Sequence, residues 1–200
     1  MKPARWHSLI GLLMSIPLLL WAFTGAVFLT KPGYEGAYEQ LAPKLYPIEQ
    51  ALTLPPGSQW EHFQLLRTIL GYHLIAHRGD QVSHLDPYTL QLIEPPTDEA
   101  IALLVKDATE QNRSRYGEII SVEDSVVTTD TGVVITLDWD RLSLRQQGND
   151  SRWLNTLYKI HYLQWLGDAT ANKVFGVLGL TLLFGLIGLG LYSYARKGPS

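Results

Sequence analysis

Ser8–Leu29 reads SLIGLLMSIPLLLWAFTGAVFL and Val174–Ala195 reads VFGVLGLTLLFGLIGLGLYSYA, each 22 residues without a charge. As helices rising 1.5 Å per residue, each would extend roughly 33 Å, enough to cross a hydrocarbon core of about 30 Å. The competing explanation for so long an apolar run is a helix buried inside a large soluble core. In a chain of 200 residues, two such helices would demand a core too large to assemble. The two stretches therefore predict two transmembrane helices, near residues 8–30 and 174–195.

A cleaved signal peptide is the rival reading of the first stretch, with Lys2 and Arg5 as its basic region and Thr24-Gly25-Ala26 as a cleavage site. The apolar run exceeds the ~7–15 residues of a signal core, which favours an uncleaved anchor. Orientation follows from the flanks. Lys2 and Arg5 flank the first helix, Arg196 and Lys197 the second, while twelve basic and nineteen acidic residues lie between the helices, a net charge of −7. By the positive-inside rule both termini are expected in the cytoplasm and the central domain outside.

The chain has no cysteine. That excludes disulfides, thiolate nucleophiles, cysteine-ligated iron–sulfur clusters and covalently attached haem. The acidic balance argues against nucleic acid as a partner. Membrane lipid is the partner that the apolar helices demand.

Between the helices, Pro32-Gly33, Pro43, Pro47 and Pro55-Pro56-Gly57 mark an irregular stalk over residues 31–57. Ser58 followed by Glu61 has capping-box spacing and predicts a helix to about Leu70. Tyr72–His77 and Gln81–Asp86 read as a hairpin about Arg78-Gly79-Asp80, followed by a turn at Asp86–Thr89 and a short strand, Leu90–Ile93. Thr97 then caps a helix whose apolar positions are Ile101, Leu104, Val105 and Ala108. Tyr116–Thr128, Gly132–Trp139 and Arg141–Arg145 read as strands, with a turn at Thr129–Gly132. A last helix from Ser151, carrying Trp153, His161 and Trp165, has the character of an interfacial helix. The organisation is thus a tail and membrane helix (1–30), a stalk (31–57), an α+β domain (58–150), an interfacial helix and linker (151–173), and a second membrane helix and tail (174–200). The fold class is a membrane α+β protein, two transmembrane helices flanking a small extracytoplasmic domain.

Six histidines are the only strong soft ligands. On a strand His73 and His77 would stand about 13 Å apart, too far to share a metal. His62 and His84 show no partner pattern and read as surface or ordinary polar positions. His7 shares a helical face with Gly11, Ser15, Ala22 and Gly25, small residues that let membrane helices approach closely. On the second helix Gly176 and Gly179 share a face with Gly190, and Gly185 and Gly188 lie on another, which suits a homodimer or a partner membrane subunit. His161 belongs to a stripe with Leu154, Leu157, Tyr158 and Trp165. No nucleophile motif, phosphate loop or zinc-protease motif is present, which points away from hydrolytic catalysis.

Arg5-Trp6-His7 with Gly11, Pro17 and Thr24-Gly25 resembles the opening segment of PepSY-associated transmembrane proteins. Leu157-Tyr158-Lys159-Ile160-His161, Gly167 and the run from Gly185 to Leu189 resemble the second membrane segment of that family. The stretch from His77 through Asp86-Pro87-Tyr88-Thr89 looks like the strand–turn–strand of a PepSY domain, with Leu90 where the family usually has glycine. The resemblance implies a bacterial inner-membrane protein with a periplasmic PepSY-like domain, in a family often linked to iron uptake. Longer relatives with four membrane helices are thought to carry haem and reduce ferric siderophores. For this chain it implies His7 and His161 as candidate b-type haem ligands, too far apart to serve one haem in one chain. Two readings follow: a non-catalytic binding or accessory module for a protein or peptide partner, or a b-haem electron-transfer protein in ferric-siderophore reduction.

Overall fold

The computed structural model describes residues 3–49 and 60–196. In order, α1 (Pro3–Thr30) and the short α2 (Tyr34–Ala37) precede β1 (His62–Thr68), β2 (Gly71–Arg78) and β3 (Gln81–Leu85). Then come α3 (Asp98–Thr109), a 3₁₀ turn, α4 (Arg113–Tyr116), β4 (Ile119–Glu123), β5 (Val126–Thr129), β6 (Val134–Asp138) and β7 (Ser143–Gln147). α5 (Asn149–His161) and α6 (Ala169–Ala195) complete the order. The chain divides into two compact units, Met1–Tyr34 with Arg152–Ser200, and Glu35–Ser151.

In the first unit α1 and α6 are long and apolar enough to cross a membrane. They pack side by side. The amino end of α1 meets the carboxyl end of α6, since Gly11 faces Leu186 and His7 bonds to Leu186. Apolar side chains cover both helices on the outside, including Leu12, Leu19, Phe184 and Leu191. That is the pattern of a lipid-facing surface, where no water supports exposed backbone. Pro17 lies inside α1 and brings no N–H to the Leu13 carbonyl four residues back. Asp168 opens α6, its carboxylate accepting the Ala171 N–H at 2.7 Å.

The second unit holds two antiparallel sheets, β1-β2-β3 and β4-β5-β6-β7. Alternation along β2 turns Ile75 to the main core, which it shares with Ile101, Leu104 and Val105 of α3 and Val127, Ile135 and Leu137 of the second sheet. Leu74 and Ala76 point the other way and cluster with Leu85, Trp60 and Phe63. α3 starts where Thr97 predicts, its hydroxyl accepting the Ala100 N–H, with Asp98 and Glu99 at the positive end of the helix dipole. The hairpin of β2 and β3 closes on Gly79-Asp80, Gly79 taking φ +56°.

Three sequence expectations fail. The helix from Ser58 to Leu70 is a strand over its described part, since β1 pairs with β2 from His62↔His77 to Thr68↔Gly71. Seven residues of cross-strand pairing override the local capping signal, and Ser58 itself lies outside the described residues. Tyr116–Thr128 is not one strand. Tyr116 ends α4, and β4 and β5 form a hairpin turning at Asp124-Ser125, whose φ values are +49° and +64°. Neither turn residue is glycine, so composition hides the turn. α5 starts at Asn149 and stops at His161, short of Trp165 and Leu166.

Candidate functional site

The last residue of α5 is held against α1 by side chains spaced three and four apart on one helical face. His161 Nδ1 lies 2.8 Å from Thr24 Oγ1, while that hydroxyl lies 2.8 Å from the Leu20 carbonyl and 3.0 Å from the Trp21 carbonyl. A carbonyl only accepts, so the Thr24 hydroxyl donates to its own helix and its oxygen accepts from His161 Nδ1–H. The imidazole is thereby fixed with its lone pair on Nε2, which has no hydrogen-bond partner among the described residues. Trp21 stacks on the ring at 5.3 Å, Phe28 meets it edge-on at 5.0 Å, and Gly25 leaves room for it, since a Cβ there would stand 3.9 Å from Cε1.

His161 lines a cavity of about 560 Å³ within this unit. Its walls are apolar: Met14, Pro17 and Trp21 from α1, Phe175, Gly176 and Gly179 from α6, and Tyr162 and Leu163 between the helices. The volume falls within the range of small-molecule and cofactor sites. His161 thus stands on an apolar wall with its Nδ1–H engaged, and a ligating histidine characteristically donates its other N–H in this way.

His7 repeats the arrangement at the opposite end of α1. Its Nδ1 lies 3.1 Å from the Leu186 carbonyl, to which it donates. Gly190 provides the space, since a Cβ there would stand 3.2 Å from His7 Cε1. The seventeen residues from His7 to Thr24 span about 26 Å of helix, so the two imidazoles are not brought together. Of the small residues, Gly11 faces Leu186 and Gly179 faces Leu163, at 3.5 and 3.4 Å from a built Cβ. Gly176, Gly185 and Gly188 meet nothing within 4 Å. Ser15 turns its hydroxyl back to the Leu12 carbonyl at 2.8 Å, and Ala22 is exposed. Thr24 is the partner of His161 that sequence reasoning missed; a hydroxyl deep in an apolar span was the available signal.

The second unit holds another histidine arrangement. His84 is not a surface residue: it is 1% exposed and lies 2.9 Å from Nδ1 of His73, itself buried. The hairpin register sets Ile75 opposite His84, which places His73 diagonally across from it on the same face. His84 Nδ1 lies 2.7 Å from the Trp139 carbonyl, and His73 Nε2 lies 2.8 Å from Thr68 Oγ1. Burial, then the neighbouring His84, pushes His73 down to about 4. Burial also lowers His84, against the upward pull of the Trp139 carbonyl and Asp140. His62 and His77 sit opposite each other on β1 and β2 with rings 5.6 Å apart. Among the described residues no three metal-ligating side chains converge.

Two apolar helices of membrane-spanning length around an α+β region of two sheets define a membrane protein with a folded domain between its spans. The chain belongs to the family described as the PepSY-associated TM region, whose model matches residues 4–200. No curated protein and no solved structure matches it.

Proposed function

We propose that this membrane protein is a one-electron carrier subunit in which His161, at the end of α5 and packed against α1, would ligate a b-type haem. The observation that carries the reading is the His161 imidazole itself, held by Thr24 through Nδ1, its Nε2 without a hydrogen-bond partner among the described residues and the residue on the wall of an apolar cavity. Haem, when bound, supplies reversible one-electron chemistry. The protein's own part is to hold the tautomer, to exclude water and to stack Trp21 against the ligating ring. Met14 also lines the cavity, but ten residues of α1 separate it from Thr24, about 15 Å of helix. A second protein ligand, if the haem takes one, would come from a second copy or a partner membrane subunit. His7, its Nδ1 likewise engaged, is the candidate ligand for a second haem at the far end of the helix pair.

Expression with ample haem and purification in detergent tests this. A Soret band that His161→Ala abolishes is expected, and Thr24→Val should weaken haem retention about 10–100-fold, the usual cost of removing such an outer partner. No Soret band in the wild type sinks the reading.

A second reading, a docking module for a protein or peptide partner, is favoured by β4. It is an edge strand, its Ile120 is 66% exposed, and it borders a groove of about 440 Å³ against α3. An edge strand with a side-chain groove is the arrangement that accepts an added peptide strand. A photocrosslinker at Ile120 in native membranes should capture a discrete adduct, and its absence counts against the module. The basic flanks Arg5 and Arg196 support a bacterial inner-membrane placement with both termini cytoplasmic and the domain periplasmic. Protease accessibility in spheroplasts tests that orientation.

A further inference from the structure

We propose that Thr68, His73, His84 and the Trp139 carbonyl form an acid-sensitive latch that ties the first sheet to the second, so that protonation frees β3 and residues 86–93 from Trp139. The geometry begins at the carbonyl end. The Trp139 carbonyl can only accept, so His84 Nδ1 carries a hydrogen and donates to it. A neutral His84 then has its lone pair on Nε2, which accepts from His73 Nδ1–H. That leaves the His73 lone pair on Nε2, where it accepts from the Thr68 hydroxyl. The Thr68 oxygen in turn accepts the Leu70 N–H at 3.1 Å. Each ring nitrogen is used once, in one direction, with both imidazoles neutral.

A third hydrogen on the two imidazoles spoils this order. Placed on His84 Nε2, it opposes His73 Nδ1–H. Placed on His73 Nε2, it displaces the Thr68 hydroxyl hydrogen from its acceptor. Both rings are nearly sealed from water, so a cation there is poorly solvated.

The groups around the pair do little to favour the cation. The same face of β2 and β3 adds Ile75, His77 and Val82, and Leu66 joins Thr68 on β1. α3 contributes apolar Ile101, Leu104 and Val105 to the adjoining core. At the end of β6, Asp138 is engaged by Arg141 at 3.2 Å, and among the described residues Asp140 is the charge that pulls on His84. What the latch holds is specific. Trp139 packs against His84 with ring centroids 4.3 Å apart and planes tilted by 46°, and donates its indole N–H to the Ile93 carbonyl at 3.3 Å. The Ile93 N–H bonds back to the His84 carbonyl at 3.0 Å.

The test is amide hydrogen exchange of the full chain in nanodiscs at pH 7.5, 6 and 5, corrected for the intrinsic pH dependence of exchange. A histidine at about 4 when folded and about 6.5 when released multiplies the opening constant about 30-fold between pH 7.5 and pH 5. His84 adds to this in the same direction. The loss of protection should appear in β3, residues 90–93 and the Trp139 turn, while α3 and β5 keep theirs. His73→Gln with His84→Gln should flatten the pH response of those segments. Should that variant fail to fold, ¹⁵N spectra of the wild-type imidazoles decide: at pH 7.5 both rings should be neutral with hydrogen on Nδ1. Equal loss across α3 and β5, an unchanged response in the variant, or an Nε2–H tautomer at either ring overturns the latch.

Discussion

Removal of Arg115 should damage the second unit severely. Its guanidinium donates to Asp150 through Nη1 and Nη2, at 2.5 and 3.3 Å, and through Nη2 to Gln146 Oε1 at 2.7 Å. The side chain is 11% exposed, and the Asp150 side chain 31%. Gly36 and Gly148 press against the fork, since a Cβ at either would meet guanidinium nitrogens at 2.6 and 3.3 Å. Gln146 also donates to the carbonyls of Gly36, Ala37 and Glu39, so the guanidinium fixes the group that holds the incoming chain. Arg115→Met keeps the aliphatic stem and removes the charge. Breaking a buried pair by deleting one partner costs about 3–5 kcal/mol, and the partial exposure of Asp150 lets water recover some of this, giving about 3 kcal/mol. Arg115→Lys should recover only part of the loss, because an ammonium cannot match two carboxylate oxygens and an amide at once. Urea unfolding of the full chain in detergent, followed by near-UV circular dichroism, measures the change, and combining Arg115→Met with Asp150→Asn should cost less than the sum of the two. A loss below about 1 kcal/mol for Arg115→Met, within the range of a surface ion pair, would refute the reasoning.

Other substitutions probe the turns and the helix pair. Ser125→Gly should stabilise the domain by about 0.5–1 kcal/mol, because relief of left-handed strain outweighs the extra freedom of glycine when unfolded; a shift in the urea midpoint reads it. Gly117→Ala should cost more than about 2 kcal/mol in the same assay, since φ is +62° and the new Cβ would fall 1.8 Å from Asp130 Oδ1. Gly190→Ile should disrupt the packing of α1 on α6. Paired spin labels on the two helices in nanodiscs would then report a broader distance distribution than in the wild type.

Much of this architecture could be read from residue order because its signals are local. The two spans need only length and lack of charge, and α3 needs Thr97 and the spacing of Ile101, Leu104 and Val105. The hairpin of β2 and β3 needs Gly79 and two alternating runs. What stayed hidden depends on distance along the chain. Thr24 and His161 are 137 positions apart, and no periodicity links them. A misleading Ser58–Glu61 spacing precedes the edge strand β1, because capping signals act over one turn while strand pairing recruits a partner from Gly71 onward. His73 and His84 are separated by a turn, and their meeting follows only once the register is known. Leu90 shows the reverse case: the turn after Asp86-Pro87-Tyr88-Thr89 was legible, yet a leucine takes its left-handed position at φ +59°, which composition does not announce.

Pro17 gives the helix-pair chamber a property its apolar lining conceals. With no N–H at that position, the Leu13 carbonyl loses its ordinary donor, and both residues stand on the chamber wall. A hydrocarbon tail filling the space would leave that oxygen unanswered in a medium that offers no water. An occupant carrying a donor group would answer it. The proline thus leaves α1 one carbonyl without its helical donor beside the chamber, a backbone feature that no side-chain substitution short of replacing the proline can alter.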